Sequence, residues 1–200
     1  MKSSKKVLAF ALAAAMVVTA VPATNAQAAS TAKLSEKKAT VYSEGYKTVT
    51  VKTPKSWKSV KVTATSNKKS VAKVKKTAAK KIKVTGVKPG TAKVTVKVTY
   101  KTSTKKNAKA KTKKLTYTMK VAKASVALSG ESAVAVGSTT KLTTTKKASS
   151  RAKITYTSSD ETIATVSEDG TVKGVKAGKA TITAKLVIGK DTATATQEVE

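Results

Sequence analysis

The chain has 200 residues, no cysteine, no histidine and a formal net charge of +31. Those absences exclude disulfide staples, metal sites built on Cys or His, and catalysis that needs a thiol or an imidazole. The length suits one or two small domains, which apolar packing alone must hold together.

Residues 1–28 stand apart. Lys2, Lys5 and Lys6 form a basic start, Val7 to Val21 is an apolar run, and Pro22 ends it. Ala26-Gln27-Ala28 places small residues where a signal peptidase reads them, so residues 1–28 are expected to be a signal peptide cleaved after Ala28. The apolar run is shorter than the roughly 20 residues of a spanning helix. The mature protein is therefore expected to be secreted. No second run of spanning length follows, and Gln197-Glu198-Val199-Glu200 carries no hydrophobic tail or sorting motif.

Charge is unevenly divided along the mature chain. Residues 29–122 hold 27 lysines against Glu36 and Glu44, a net of +25. Residues 123–200 hold ten lysines and Arg151 against eight acids, a net of +3. A basic half joined to a nearly neutral half points to one end that meets an anionic surface.

After residue 28 the pattern is strict alternation. Val94, Val96, Val98 and Tyr100 fall on one side of a strand, with Lys93, Thr95, Lys97 and Thr99 on the other. Leu115, Tyr117, Met119 and Val121 repeat this, and no stretch carries a helical period. A period of two, rich in Val and Thr, predicts strands with one buried face. Strands are expected near 39–42, 47–52, 58–65, 70–75, 80–85, 91–100 and 115–122. A second set follows near 126–128, 133–136, 139–145, 153–157, 162–166, 171–175, 179–188 and 192–199. Each set suits an antiparallel two-layer sandwich. The expected organisation is all-β, with a basic domain at 29–122 and a near-neutral domain at 123–200. Ala122-Lys123-Ala124 joins them without a Pro or Gly run, which predicts a semi-rigid rod.

The two sets are copies. Thr157–Ala184 reads TSSDETIATVSEDGTVKGVKAGKATITA, and a diverged version lies at Thr65–Val96. Val62 to Val74 aligns with Ile154 to Val166 at an offset of 92, and Val84 to Val96 with Val172 to Ala184 at 88. The first copy thus carries four extra residues in a loop read as 75–81, which contains Lys75, Lys76, Lys80 and Lys81. Its last hairpin is also longer, running KTSTKKNAKAKTKK from Lys101 to Lys114, where the second copy turns through Gly189-Lys190-Asp191. Both insertions are largely lysine.

The pattern T-S-S-D-x-x-I-A-T-V-x-x-x-G-x-V-x-G-V-x-A-G-x-A-T-I-T-A resembles the bacterial immunoglobulin-like domain, group 2, a module of intimin- and invasin-type adhesins and of secreted wall-associated proteins. Ser158, Asp160, Ile163, Val166, Gly170, Val172, Gly174, Val175, Gly178 and Ile182 carry the match. The first copy keeps Ser66, Val71, Val74, Val84, Gly86, Val87, Gly90 and Val94, but has Asn67-Lys68 where the second has Ser159-Asp160, and it lacks the Asp-Gly turn. The resemblance implies two tandem immunoglobulin-like Greek-key sandwiches with an adhesive or spacer role, and supplies no catalytic or cofactor residues. Val172, Val175 and Ile182 are expected between the sheets, Gly86 and Gly174 where a side chain would clash, and Gly90 and Gly178 in turns with positive φ.

Several side chains invite a functional reading. Lys75, Lys76, Lys80, Lys81, Lys101, Lys105, Lys106, Lys109, Lys111, Lys113 and Lys114 either bind a polyanion or simply keep the protein soluble. Their concentration in the insertions favours anionic cell-wall polymers or acidic glycans, including those of a host surface. Lysine lacks the planar fork of arginine, so such binding would be salt-sensitive and geometrically tolerant. Nucleic acid would bind only nonspecifically, because the 101–114 loop has no aromatic platform. Trp57 fits either a sugar-stacking residue or, the favoured role, the edge of a core. Asp160, Glu161, Glu168 and Asp169 could supply oxygen to calcium, but lack calcium-loop spacing and suit turns better. With no histidine base and no paired carboxylates, an enzyme is not expected, and no cofactor is implied. The competing expectation is a purely structural spacer, or a fragment of a larger surface adhesin.

Overall fold

The computed structural model describes residues 31–200, and the expected signal peptide lies outside them. In the first copy, β1 (Lys33–Leu34), β3 (Tyr46–Lys52), β6 (Lys81–Gly86) and β5 (Ala72–Ala78) form one sheet in the order β1-β3-β6-β5. The facing sheet has the order β2-β8-β7-β4, from β2 (Lys38–Tyr42), β8 (Lys111–Ala122), β7 (Gly90–Lys101) and β4 (Lys58–Ser66). The alternation read from the sequence is the alternation found. Val94, Val96 and Val98 are fully buried, while Lys93, Thr95 and Lys97 face solvent. They meet Val49, Val51, Ile82 and Val84 from the other sheet, and each fully buried side chain of this size contributes about 1.5–3 kcal/mol.

One pairing departs from the antiparallel expectation. β2 runs parallel to β8, with Lys38 opposite Thr118 and Tyr42 opposite Ala122. The chain pairs with β3 through β1, then crosses between Leu34 and Lys38 to the other sheet. One segment thereby covers an edge of both layers, leaving each sheet fewer open backbone groups.

In the second copy, β9 (Ser125–Ser129) pairs with β11 (Thr143–Lys147). β10 (Thr139–Lys141), β14 (Thr171–Gly174) and β13 (Ala164–Val166) form a three-stranded sheet, as do β12 (Lys153–Ser158), β15 (Ala180–Ile188) and β16 (Asp191–Val199). The strand expected at 139–145 is broken at Leu142. That residue is buried, its N–H donates to Gly170 O at 3.1 Å, and the segments on either side pair with different strands. The strand expected at 133–136 reduces to one bridge between Val136 and Gly174. Val175 is 44% exposed rather than core, because it lies just past the end of β14.

The paired glycines do what their positions predicted. A Cβ on Gly174 would stand 2.7 Å from Ala135 O, and one on Gly86 would stand 2.9 Å from Val121 Cγ2. Gly90 and Gly178 have φ of 140° and 150°, in space that side chains rarely enter.

The junction is short. β8 ends at Ala122 and β9 begins at Ser125, with exposed Lys123 between Ala122 and buried Ala124. The Ala124 N–H donates to Asp191 Oδ2 at 2.8 Å, and Asp191 is 5% exposed. Ala124 belongs to a core cluster of the second copy with Leu186 and Ile188. The linker is thus anchored into the second sandwich at its first possible residue.

Candidate functional site

Most lysines of the two insertions lie on strands. The first extends the β5–β6 hairpin, so Lys75 and Lys76 lie on β5, Lys81 begins β6, and Ala79–Lys80 is the turn. An irregularity between Lys76 and Ala78 takes up one residue, and the rest of the extra length goes into the longer hairpin. Lys80 is tied back, with its Nζ donating to Thr53 Oγ1 at 2.7 Å. In the second insertion, Lys101 ends β7 and Lys111, Lys113 and Lys114 lie on β8. The true loop is 102–110, which bears Lys105, Lys106 and Lys109. It is closed by Ala108 N–H to Lys105 O at 3.0 Å and Lys105 N–H to Ser103 Oγ at 3.2 Å. Ladder register, rather than loop flexibility, therefore sets the position of most of these lysines.

Register also brings lysines face to face. Lys33 lies opposite Lys52, Lys75 opposite Lys83, Lys97 opposite Lys114, and Lys58 opposite Lys101. Like charges directly across a ladder destabilise a sheet by about 0.2–1 kcal/mol per pair. Nothing nearby neutralises them: among the described residues, every ion pair lies in the second copy, between Lys141 and Asp169 and between Lys179 and Glu198 or Glu200. In the first copy, Lys83 instead sits 3.8 Å over the ring of Tyr46. The basic sandwich thus holds a field of positive charge that its own residues leave unmatched.

Trp57 is 9% exposed and stacks on Tyr100 with ring centroids 3.3 Å apart and planes 1° from parallel. An indole so covered has no open face for a sugar, which corrects the stacking alternative and places Trp57 at the edge of the core. The four acids weighed for calcium are turn residues. Asp160 Oδ1 accepts from Thr162 N at 2.8 Å and Thr162 Oγ1 at 2.7 Å, and these bonds hold its carboxyl below the usual range. Asp169 is held lower still, first by the Lys141 ammonium and then by Ser167 and Thr171. Among the described residues no three carboxylates converge as a metal ion would require.

Sequence reasoning missed Asp191. It was visible as part of the Gly189-Lys190-Asp191 turn, but its bond to Ala124 spans 67 positions and carries no local signal.

Comparison with known proteins bears on the second copy most directly. The family model described as bacterial Ig-like domain (group 2) matches residues 121–197. No curated protein sequence matches the chain. Among solved structures, domains 4 and 5 of the S-layer protein SbsC are 24% identical, over 85% of this chain and 98% of that one, with a TM-score of 0.40. SbsC domains 1–6 are 23% identical, over 85% of this chain and 27% of that one, at 0.39. Chicken VE-cadherin EC1-2 is 13% identical, over 82% and 98%, at 0.29. No catalytic family is indicated. Residues 121–197 are a bacterial Ig-like domain of group 2, and the described chain is all-β.

Proposed function

We propose that the protein is a secreted, non-enzymatic attachment protein of the bacterial surface, whose first sandwich binds polyanions through lysine and whose second spaces or presents it. One observation carries this reading. The first copy concentrates 27 lysines on a sandwich with no ion pair among the described residues, while the second copy, of the same module, neutralises its own charge. Surface lysines without partners attract polymeric anions by releasing condensed counterions, which makes binding steeply salt-dependent. The anchored linker at Ala124 and Asp191 supports the spacer role of the second copy. The test is retention of the mature protein on immobilised anionic polymer over a salt gradient. Retention at about 50 mM salt, lost steeply by about 200 mM, is the expected result. A protein that flows through at the lower salt would sink the reading.

A further inference from the structure

The outer face of the β2-β8-β7-β4 sheet, which the 102–110 loop closes at one end, has an order of its own. Along β7 the outward positions are Thr91, Lys93, Thr95, Lys97 and Thr99. Across the ladder on β8 they meet Lys120, Thr118, Thr116, Lys114 and Thr112. β4 adds Thr65, Thr63 and Lys61 beside Thr95, Lys97 and Thr99, and β2 adds Lys38 and Thr40 beside Thr118 and Lys120. All of these outward side chains are lysine or threonine. At the centre runs a row made only of threonine, Thr65–Thr95–Thr116. Lys93 and Lys38 lie in the next row on one side, and Lys97 and Lys114 in the next row on the other. Rows on one face are about 6.7 Å apart, and neighbouring strands about 4.8 Å.

The second copy supplies an internal control. Its equivalent row is Thr157–Thr183–Thr196, at the copy offsets that carry Thr65 and Thr95 to Thr157 and Thr183. The threonine row therefore belongs to the shared fold, where β-branched residues suit an exposed strand face. The flanks differ. Thr181 stands where the first copy has Lys93, and Thr194 pairs with Lys185 where Lys114 pairs with Lys97. Glu198 stands opposite Thr181, where the first copy has Thr118 opposite Lys93. Lysine has been laid around a threonine row that the plain module already had, and at Lys97–Lys114 it was laid as an opposed pair, at a cost to the sheet.

We propose that this threonine row with its flanking lysines, Lys38, Lys93, Lys97 and Lys114, is a docking track for a linear polyol phosphodiester. The proposal rests on the polyanion reading above and deepens it by naming the surface and the polymer. The hydroxyls donate to phosphate oxygens along the row, and the ammonium groups neutralise the charge from both sides. The one aromatic residue on this face, Tyr42, lies at its rim opposite Ala122, so bases have no run of rings to stack on. The middle of the row is open sheet surface, with clefts beside its end residues Thr65 and Thr116. Neither Glu36 nor Glu44, the two acids of the first copy, lies on it. What fits is a thin chain with one phosphate per repeat and no bulky substituent.

The probe is poly(glycerol phosphate) fixed to a resin, with the mature protein measured over a salt gradient. A face variant takes Lys38→Thr, Lys93→Thr, Lys97→Thr and Lys114→Thr, which suit an exposed strand and relieve one opposed pair. A loop variant removes the same number of charges through Lys76→Thr, Lys105→Thr, Lys106→Thr and Lys109→Thr. The face variant is expected to lose about tenfold or more in affinity, with a salt slope lower by about 3, while the loop variant stays within about threefold of the parent. A reverse graft on the second copy, Thr181→Lys, Thr194→Lys and Glu198→Thr, is expected to strengthen binding, and guards against a face variant that fails to fold. Equal losses in the two variants, or no gain from the graft, would overturn the track yet leave the polyanion reading standing. A parent protein that is not retained at low salt would overturn both. Single-stranded DNA or a sulfated glycan competing as well as free poly(glycerol phosphate), at equal charge, would overturn the choice of polymer.

Discussion

The two sandwiches share a strand plan and differ in how they treat charge. In the second, Asp169 holds Lys141, Glu198 holds Lys179, and Asp160 caps its own turn. In the first, the ladder places lysine against lysine four times without a carboxylate between them. The residues that make the fold are common to both copies, including the buried Val84 and Val172 and the glycines at 86 and 174. Apart from the insertions and the pairing of the edge strands, the difference in charge lies on outward positions, where substitution is nearly free of packing cost. A module can therefore be recharged without being refolded, and that is what the comparison teaches.

The comparison can be broken hardest at the paired glycines. Gly174→Ala drives a Cβ into the carbonyl oxygens of Ala135 and Val134, at 2.7 and 2.9 Å, which are backbone atoms that cannot rotate away. We expect a loss of about 3 kcal/mol in the second copy. Gly86→Ala first meets the methyls of Val121 and Val41, at 2.9 and 3.0 Å, and should cost about 1–2 kcal/mol in the first. Urea unfolding separates the two, because Trp57 is the chain's one tryptophan and reports the first copy alone. Equal losses would show that the two close approaches are not equivalent in the way the structure implies.

Next in size is the junction. Asp191→Ala leaves the buried Ala124 N–H without an acceptor, a cost of about 1–3 kcal/mol. It should fall on the second copy and leave the Trp57 transition in place. Movement of the Trp57 midpoint by as much would mean that the bond also stabilises the first sandwich.

Charge gives a smaller and opposite effect. Lys97→Thr relieves its repulsion with Lys114 and should stabilise the first copy by about 0.2–1 kcal/mol at low salt, with the gain shrinking as salt is raised. Unchanged stability at low salt would show that the opposed ammonium groups already splay apart.

Acid sharpens the same contrast from the other side. Asp169 is depressed in the folded state, chiefly by Lys141, so its contribution is complete above the ordinary aspartate value of about 4 and is lost as pH falls through the folded value. Asp160 acts in the same direction. The second copy should therefore weaken below about pH 4, and Asp169→Asn should remove part of that sensitivity. A second copy as stable at pH 3 as at pH 6, followed by its own unfolding transition, would contradict this origin.

Much of this protein is written locally. Period-two alternation marked the long strands to within a few residues, because one face of each is buried and the other wet. The internal repeat marked Gly86, Gly90, Gly174 and Gly178 as structural before any contact was known. Local pattern failed where pairing is a decision between partners. The break at Leu142, the loss of a strand at 133–136 and the parallel run of β2 along β8 depend on which edge is free to pair. The bond from Ala124 to Asp191 is likewise invisible in sequence, since it joins distant positions through burial. The lysines show the division most clearly. Their number and their bias toward the first copy are properties of the chain itself. Register alone decided that Lys97 would face Lys114 and that Lys93 and Lys38 would flank a row of threonine, because ladder pairing converts positions far apart in sequence into neighbours about 5 Å apart.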